Sequence, residues 1–149
     1  MTQAQYKAWL AGAIAEYAEE NVTSGRWSAQ EAMGRSREEH ERLLPLGLAT
    51  PNNHLWSITR AGDREQVGIL WMAVVDKPTP HAFIYNIEIH GPFRRRGFAE
   101  QAMTKLEGEA KRLGLDRIGL HVFGHNSAAR PLYEKLGYLP TSINMVKHL

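Results

Sequence analysis

The stretch Ile84-Tyr85-Asn86-Ile87-Glu88-Ile89-His90-Gly91-Pro92-Phe93-Arg94-Arg95-Arg96-Gly97-Phe98-Ala99 decides the fold of this chain. Its first half is rich in β-branched and aromatic residues and predicts a strand over residues 82–89 that ends at Gly91-Pro92. Its second half is a basic turn that leads into a helix, because apolar residues recur at helical spacing from Phe98 to Leu113. The order strand, basic turn and helix therefore organises the second half of the chain.

The turn at residues 94–97 has the composition of an anion site. The N–H groups in the first turn of a helix are free and, together with the helix dipole, attract phosphate. A glycine such as Gly97 lets a ligand approach the backbone closely. Arg94, Arg95 and Arg96 add donors and positive charge. The alternative is a solvated surface turn, since short basic turns are common.

After the helix that begins at Phe98, the sequence predicts a strand, a shorter helix and a final strand. Gly114 stands where a C-terminal helix cap belongs, and residues 118–123 read as a strand. Strand, helix and strand in succession favour a parallel pair with a right-handed crossover. Asn126 is placed to cap a shorter helix closed by Gly137. We predict a final strand over residues 143–148.

The first half of the chain predicts two helices and then an antiparallel hairpin. Apolar residues at helical spacing form one helix that ends before Thr23, and a second helix runs from about Ser28 to Leu43. Residues 55–58 and 66–75 read as two strands joined by a polar turn. The complete order predicts an α/β fold, in which helices flank a mixed central sheet.

Length, composition and charge restrict the class of protein. The 149 residues, 43% apolar and 23% charged, predict a single domain over residues 1–149. A net charge of +2 is too small for a dedicated nucleic-acid-binding protein, so we expect no nucleic-acid partner. Without cysteine, disulfides and thiol catalysis are excluded, and a cytoplasmic location fits best. We expect neither a signal peptide nor a membrane partner, because no apolar stretch is long enough to span a bilayer.

Two ordered blocks carry a family resemblance. Arg94, Gly97 and Ala99 match the acyl-CoA signature of Arg or Gln, two residues, Gly, one residue, and Gly or Ala. Residues 120–138, Leu-His-Val-Phe-Gly-His-Asn-Ser-Ala-Ala-Arg-Pro-Leu-Tyr-Glu-Lys-Leu-Gly-Tyr, look like the second conserved block at the expected distance. The sequence thus resembles the GCN5-related N-acetyltransferase (GNAT) superfamily over about residues 54–149. Including residues 24–27 and 44–47, the whole chain looks like a bacterial branch of it.

The resemblance implies an acyl-CoA N-acyltransferase fold that binds acetyl-CoA, as a co-substrate, between two splayed parallel strands. Residues 1–50 would then form a helical acceptor-side region, and residues 54–149 an acetyl-CoA-binding core. Proline usually stands one position earlier in the family than Pro92, so the turn departs from the pattern. The resemblance implies cofactor contacts for Ile87, Ile89, Arg94, Arg95, Arg96, Gly97, Phe98, Ala99, Asn126, Ala129 and Tyr133.

The resemblance also gives Tyr133 a catalytic role, as general acid beside the thioester sulfur. A thiolate leaves more readily when a phenol lies within hydrogen-bond reach. For the base we weigh two residues, His121 first, because histidine titrates near working pH, and Glu88 second. Both residues can instead simply line the pocket, because strand alternation does not fix their exposure. We expect no metal site, since the histidines show no metal-ligand spacing.

The sequence predicts a direct transfer of acetyl to a primary amine. The acceptor stays open between a protein N-terminus and a small amine, and an acidic acceptor pocket would indicate a polyamine. The alternative function is a non-catalytic acyl-CoA-binding sensor or assembly module. The predicted C-terminal strand, residues 143–149, is an edge that can pair across a homodimer.

Overall fold

The computed structural model describes all 149 residues of the protein. Its helices and strands follow the predicted order up to residue 135, without the final predicted strand, and two short 3-10 turns lie at Gly47–Ala49 and Gly91–Phe93. The main elements are α1 (Gln3–Thr23), α2 (Ala32–Leu43), β1 (Asn53–Thr59), β2 (Gln66–Val75), β3 (His81–Ile89), α3 (Phe98–Arg112), β4 (Ile118–Leu120) and α4 (Ala129–Lys135). None of the helices combines the length and the apolar composition that crossing a membrane requires.

The four strands form one mixed sheet in the order β1-β2-β3-β4. The pairs β1–β2 and β2–β3 are antiparallel, whereas β3 and β4 are parallel. Because α3 connects the parallel strands, the predicted βαβ unit and the mixed α/β class are both confirmed.

Strand β2 is buried on both faces and separates two apolar clusters. Leu70 and Met72 pack in a cluster with residues of α3, including Met103, which is fully buried. Ile69 and Trp71 point to the other face, into a cluster with residues of α1. Successive residues of a strand alternate between faces, so one continuous apolar strand holds helices against both sides of the sheet.

Strands β3 and β4 are paired only in the first half of β3 and separate after Ile84 and Leu120. Their ladder contains three residue pairs and ends at Ile84 opposite Leu120. On the other edge of β3, Trp71 pairs with Asn86 and Met72 with Ile84, so Tyr85 is the extra residue of a β-bulge. A bulge bends its strand and increases the local twist. The β3 segment after Tyr85 therefore has a free edge on the side of β4.

The C-terminal segment corrects two predictions from the sequence. The strand predicted over residues 118–123 ends at Leu120, and residues 143–148 form no strand. Ile143 and Met145 are 73% and 92% exposed, because the three-residue β4 offers too short an edge for another strand to pair with. The homodimer stays a prediction, now without that strand as its basis.

The helix starts also differ from the predictions. Ser28 Oγ donates to the Glu31 carboxylate at 2.6 Å instead of capping a helix, and α2 begins at Ala32. Thr2 and Gln5 form a reciprocal capping box, which starts α1. Helix α4 begins after the predicted cap Asn126, at Ala129.

Candidate functional site

The basic turn presents a row of free backbone donors. None of the N–H groups of residues 95–100 donates a hydrogen bond within the protein. Arg95 and Gly97 have positive φ values of 59° and 81°, and α3 begins directly afterwards, at Phe98. Successive free N–H groups at the start of a long helix suit a phosphate-bearing ligand. The turn therefore fits the predicted cofactor phosphates, which Arg95, Arg96, Gly97, Phe98 and Ala99 would contact.

Arg94 holds the turn against the sheet. Its Nε donates to the carbonyl oxygen of Ile89, the last residue of β3, at 2.9 Å. Arg96 lies with its guanidinium 5.9 Å from the centre of the Phe98 ring. All three arginines are exposed, so their positive charge is accessible to a ligand at this turn. Arg94 combines this charge with a positioning contact that the sequence did not reveal.

A cavity of about 380 Å³ lies where β3 and β4 separate. Helices α1 and α2 form one side of it, and β3 with the segment after β4 forms the other. Four of the residues predicted from the sequence line it together: Ile87, His121, Asn126 and Tyr133. The predicted acid and the first-choice base therefore share one cavity.

Tyr133 is half-buried in the cavity wall. Desolvation by burial raises the pKa of its phenol above the ordinary value of 10.0, so the hydroxyl stays protonated at neutral pH. The ring packs 5.8 Å from Tyr138 and contacts the apolar cluster beside α3. Tyr133 is thus a packing residue that also places a protonated phenol at the cavity.

His121 lies on the opposite strand segment with its ring 4.8 Å from that of Phe123, edge to face. Partial desolvation lowers the pKa of the imidazole below the ordinary 6.5, and the positive charge of Arg26 adds to this effect. The ring is therefore neutral at pH 7 and can accept a proton.

The side-chain amide of Asn126 has its oxygen hydrogen-bonded and its nitrogen free. Its Oδ1 accepts from the backbone N–H of Ala129 at 3.2 Å, in the first turn of α4. Its Nδ2 donates no hydrogen bond within the protein, so it is available to a ligand. The cap and the binding role can hold together.

The model of the "Acetyltransferase (GNAT) family" matches residues 14–138. The chain belongs to the GNAT family. It is 38% identical over 150 residues to the N-acetyltransferase YycN of Bacillus subtilis, covering 100% of this chain and 96% of YycN. It is 37% identical to YdgE of the same organism, covering 100% of this chain and 95% of YdgE. The crystal structure of YycN matches with a TM-score of 0.92 at 37% identity, covering 100% of this chain and 95% of that chain.

These relatives confirm the resemblance seen in the motifs. This GNAT protein is an acetyl-CoA-dependent N-acetyltransferase, which transfers an acyl group to an amine. A more distant relative is the ribosomal protein bS18-alanine N-acetyltransferase of Salmonella typhimurium, 29% identical over 117 residues. That alignment covers 78% of this chain and 67% of the relative.

The other predicted site residues of this GNAT protein lie outside the cavity lining. Glu88, the second choice of base, does not line the cavity. Its negative charge nevertheless acts on Glu16, whose pKa is raised first by desolvation and then by Glu88 and Glu20. Ile89 ends β3 beside the turn, and Ala129 starts α4. Of the two candidate bases, His121 therefore lines the cavity and Glu88 does not.

The cavity lining also includes residues that the sequence analysis did not assign to the site. They come from α1, α2 and the loop between these helices, and from the bulge in β3: Glu16, Tyr17, Glu20, Arg26, Glu39, Arg42 and Tyr85. One available signal was the spacing of Glu16 and Glu20, four residues apart beside the apolar stripe of α1. The bulge at Tyr85 had no sequence signal.

The structure brings together no group of three His, Asp or Glu side chains that could hold a metal ion. His125, which does not line the cavity, contacts the carboxylate of Glu20. This contact connects α1 to the loop that carries Asn126. The loop is thereby held against α1.

Proposed function

We propose that this acetyltransferase moves the acetyl group by direct attack of a primary amine on the thioester carbonyl of acetyl-CoA. The observation that carries the proposal is the placement of Tyr133 and His121 on one cavity, at the point where β3 and β4 separate. The phosphates of the co-substrate lie on the free N–H groups of residues 95–100 in this proposal. Its pantetheine arm follows the free edge of β3 near Ile87 and Ile89 and bonds to Asn126.

His121 acts as the base in this reaction. As the amine nitrogen forms a bond to the acetyl carbon, it loses one proton, which the neutral imidazole accepts directly or through water. The lowered pKa keeps the imidazole in its neutral form at pH 7. Backbone N–H groups at the β3 edge polarise the thioester carbonyl.

Tyr133 acts as the acid. The bond between the acetyl carbon and sulfur breaks, and the phenol gives its proton to the departing sulfur, so that CoA leaves as a thiol. The proton held by His121 returns to solvent, and the phenol regains a proton from solvent. One amine and one thioester thus give one amide and one thiol.

The proposed domain arrangement assigns residues 54–149 to the co-substrate and residues 1–50 to the acceptor. Helices α1 and α2 supply most of the charged residues of the cavity, which supports this division. The acceptor is either a small amine or the N-terminus of a protein. The S. typhimurium relative named for the bS18 alanine supports the second possibility at the level of the family.

Direct attack is tested by intact-mass spectrometry of the protein after incubation with acetyl-CoA and no acceptor. We expect an unchanged protein mass, and thiol release that depends on added amine. A mass increase equal to one acetyl group that disappears when amine is added would overturn direct attack in favour of a covalent intermediate.

A further inference from the structure

The cavity of this enzyme contains carboxylates that are already engaged. Glu39 accepts a hydrogen bond from the hydroxyl of Tyr17 at 3.1 Å, and Glu20 contacts His125. Only Glu16, among the carboxylates that line the cavity, has neither an ion pair nor a hydrogen-bond partner. Glu39 and Glu20 therefore each have a partner for one carboxylate oxygen, although Glu39 keeps its negative charge.

The two arginines of the cavity are free. Arg26 follows α1 in the loop between the helices, and Arg42 lies in the last turn of α2. Neither guanidinium forms an ion pair or a hydrogen bond in the structure, although both line the cavity. Arg35, by contrast, pairs with Glu31 at 3.6 Å and lies 5.8 Å from the centre of the Trp27 ring, outside this cavity.

The charges of Arg26 and Arg42 reach the cavity from two sides. Burial and then Glu39 raise the pKa of Tyr17, and Arg26 opposes this rise. Burial lowers the pKa of His121, and Arg26 lowers it further. Burial raises the pKa of Tyr85, Arg42 opposes this rise, and the charge of Glu39 adds to it. The positive charge is thus next to the α1 and β4 walls as well as the β3 wall.

The free carboxylate lies in a different part of the site. Glu16 is influenced by Glu88 and by Arg94, which are at the end of β3 where the turn begins. A cationic amine would be attracted toward this end, whereas the two free guanidinium groups attract an anion. Arginine presents a planar fork of donors that matches the two oxygens of a carboxylate or phosphate.

We infer that the acceptor carries an anionic oxygen group, a carboxylate or a phosphate, beside its primary amine, and that Arg26 and Arg42 bind this group. The inference rests on the proposed function, because it names the chemical class of the amine that is acetylated. A polyamine is disfavoured, since a second ammonium would meet the two guanidinium groups rather than free carboxylates.

The test uses four primary amines with the same carbon chain, whose far ends are a carboxylate, a phosphate, an amide and an ammonium. Calorimetry measures the binding of each to the full-length protein saturated with CoA, so that no turnover is needed. We expect at least one of the two anionic amines to bind about tenfold more tightly than the amide. The carboxylate and phosphate arms identify which anion is preferred.

The variants Arg26→Gln and Arg42→Gln remove that preference if the inference is correct. Affinity for the preferred anionic amine falls about tenfold in each variant, and affinity for the amide stays the same. Arg35→Gln is the matched control, because this arginine lies on the same helix as Arg42 but is already paired. It should bind all four amines as the unaltered protein does.

Four results would overturn the inference. With the unaltered protein they are equal affinity for all four amines, no binding of any amine, and preference for the diamine. The fourth is an anion preference that remains in both Arg26→Gln and Arg42→Gln. The proposed function is tested separately, by thiol release with the same amines. Anion-selective binding without any thiol release would sink the proposed function and leave the arginine site in place. Thiol release without anion-selective binding would support the proposed function and overturn the arginine site.

Discussion

A β-carbon built on Gly68 of β2 would overlap the backbone carbonyl oxygen of Glu88 in β3. Gly68 pairs with Ile89, so this close approach lies at the end of the strand whose free edge would hold the co-substrate. The overlap involves backbone rather than a flexible side chain, and β3 would have to move to relieve it. The absence of a side chain at position 68 therefore fixes the position of β3 next to the basic turn.

Gly68→Ala should lower the free energy of unfolding by about 1–3 kcal/mol, the usual cost of overpacking, and weaken acetyl-CoA binding. Urea unfolding and calorimetry measure the two effects. Gly108→Ala is the control, because Gly108 lies in α3 with open space around it and should gain up to about 1 kcal/mol from helix propensity. Unchanged stability and binding in Gly68→Ala would show that β3 is not held in this way.

Tyr133→Phe should lower kcat about 100-fold or more, because the departing thiolate loses its proton donor. Acetyl-CoA affinity should hardly change, since the ring and its packing remain. Thiol-release kinetics and calorimetry separate the two quantities.

Tyr138→Phe is the matched control for Tyr133→Phe. Burial, with the charge of Glu107 adding, raises the pKa of Tyr138 to about 12, and its buried hydroxyl has no hydrogen-bond partner. Removing that hydroxyl should leave kcat unchanged and should not destabilise the fold. Full activity of Tyr133→Phe, or equal losses in both variants, would contradict the role of Tyr133.

The pH dependence of kcat/KM should show an acid limb below about pH 6.5, where His121 becomes protonated. Desolvation and then Arg26 hold the pKa of the imidazole below 6.5, so the limb lies lower than for a free histidine. The unfolded chain binds this proton more readily than the folded protein, so a small part of the stability is lost as the pH falls below 6.5. His121→Gln should remove the limb and lower kcat/KM at neutral pH.

Arg26→Gln should raise the pKa of His121 toward 6.5, because a positive charge that opposes protonation is removed. An NMR titration of the His121 ring protons measures this directly, without any acceptor. Arg35→Gln should leave the titration unchanged. A pKa that falls would contradict this effect of Arg26, and an acid limb that persists in His121→Gln would exclude His121 as the base.

The sequence predicted the elements whose signals are local. The alternation up to Ile89 and the helical spacing from Phe98 both depend on neighbours within a few residues, and both agree with the structure. Residues 143–148 also contain β-branched and apolar residues, but a strand needs a partner edge, and the sequence does not show that β4 ends at Leu120. The C-terminal strand was predicted wrongly because its formation depends on a neighbouring strand edge that the sequence does not show.

The candidate site divides in the same way. His121, Asn126 and Tyr133 were identified because they stand in residues 120–138, the block that resembles the second GNAT motif. Arg26 and Arg42 belong to segments that are distant in the sequence and reach the cavity only when α1 and α2 pack over the sheet. Exposed arginines on helices and loops carry no local mark of such a role.

The most direct test of the account is calorimetric titration with acetyl-CoA of the unaltered protein, Gly97→Glu and Gly114→Glu. Gly97 and Gly114 flank the two ends of α3 with similar φ values of 81° and 76°, and a β-carbon meets no close contact at either. Both variants carry the same strain and charge, but only residue 97 lies among the free N–H groups. We predict binding to the unaltered protein and to Gly114→Glu, and loss of binding in Gly97→Glu. No binding by the unaltered protein, or equal binding by all three, would contradict the account.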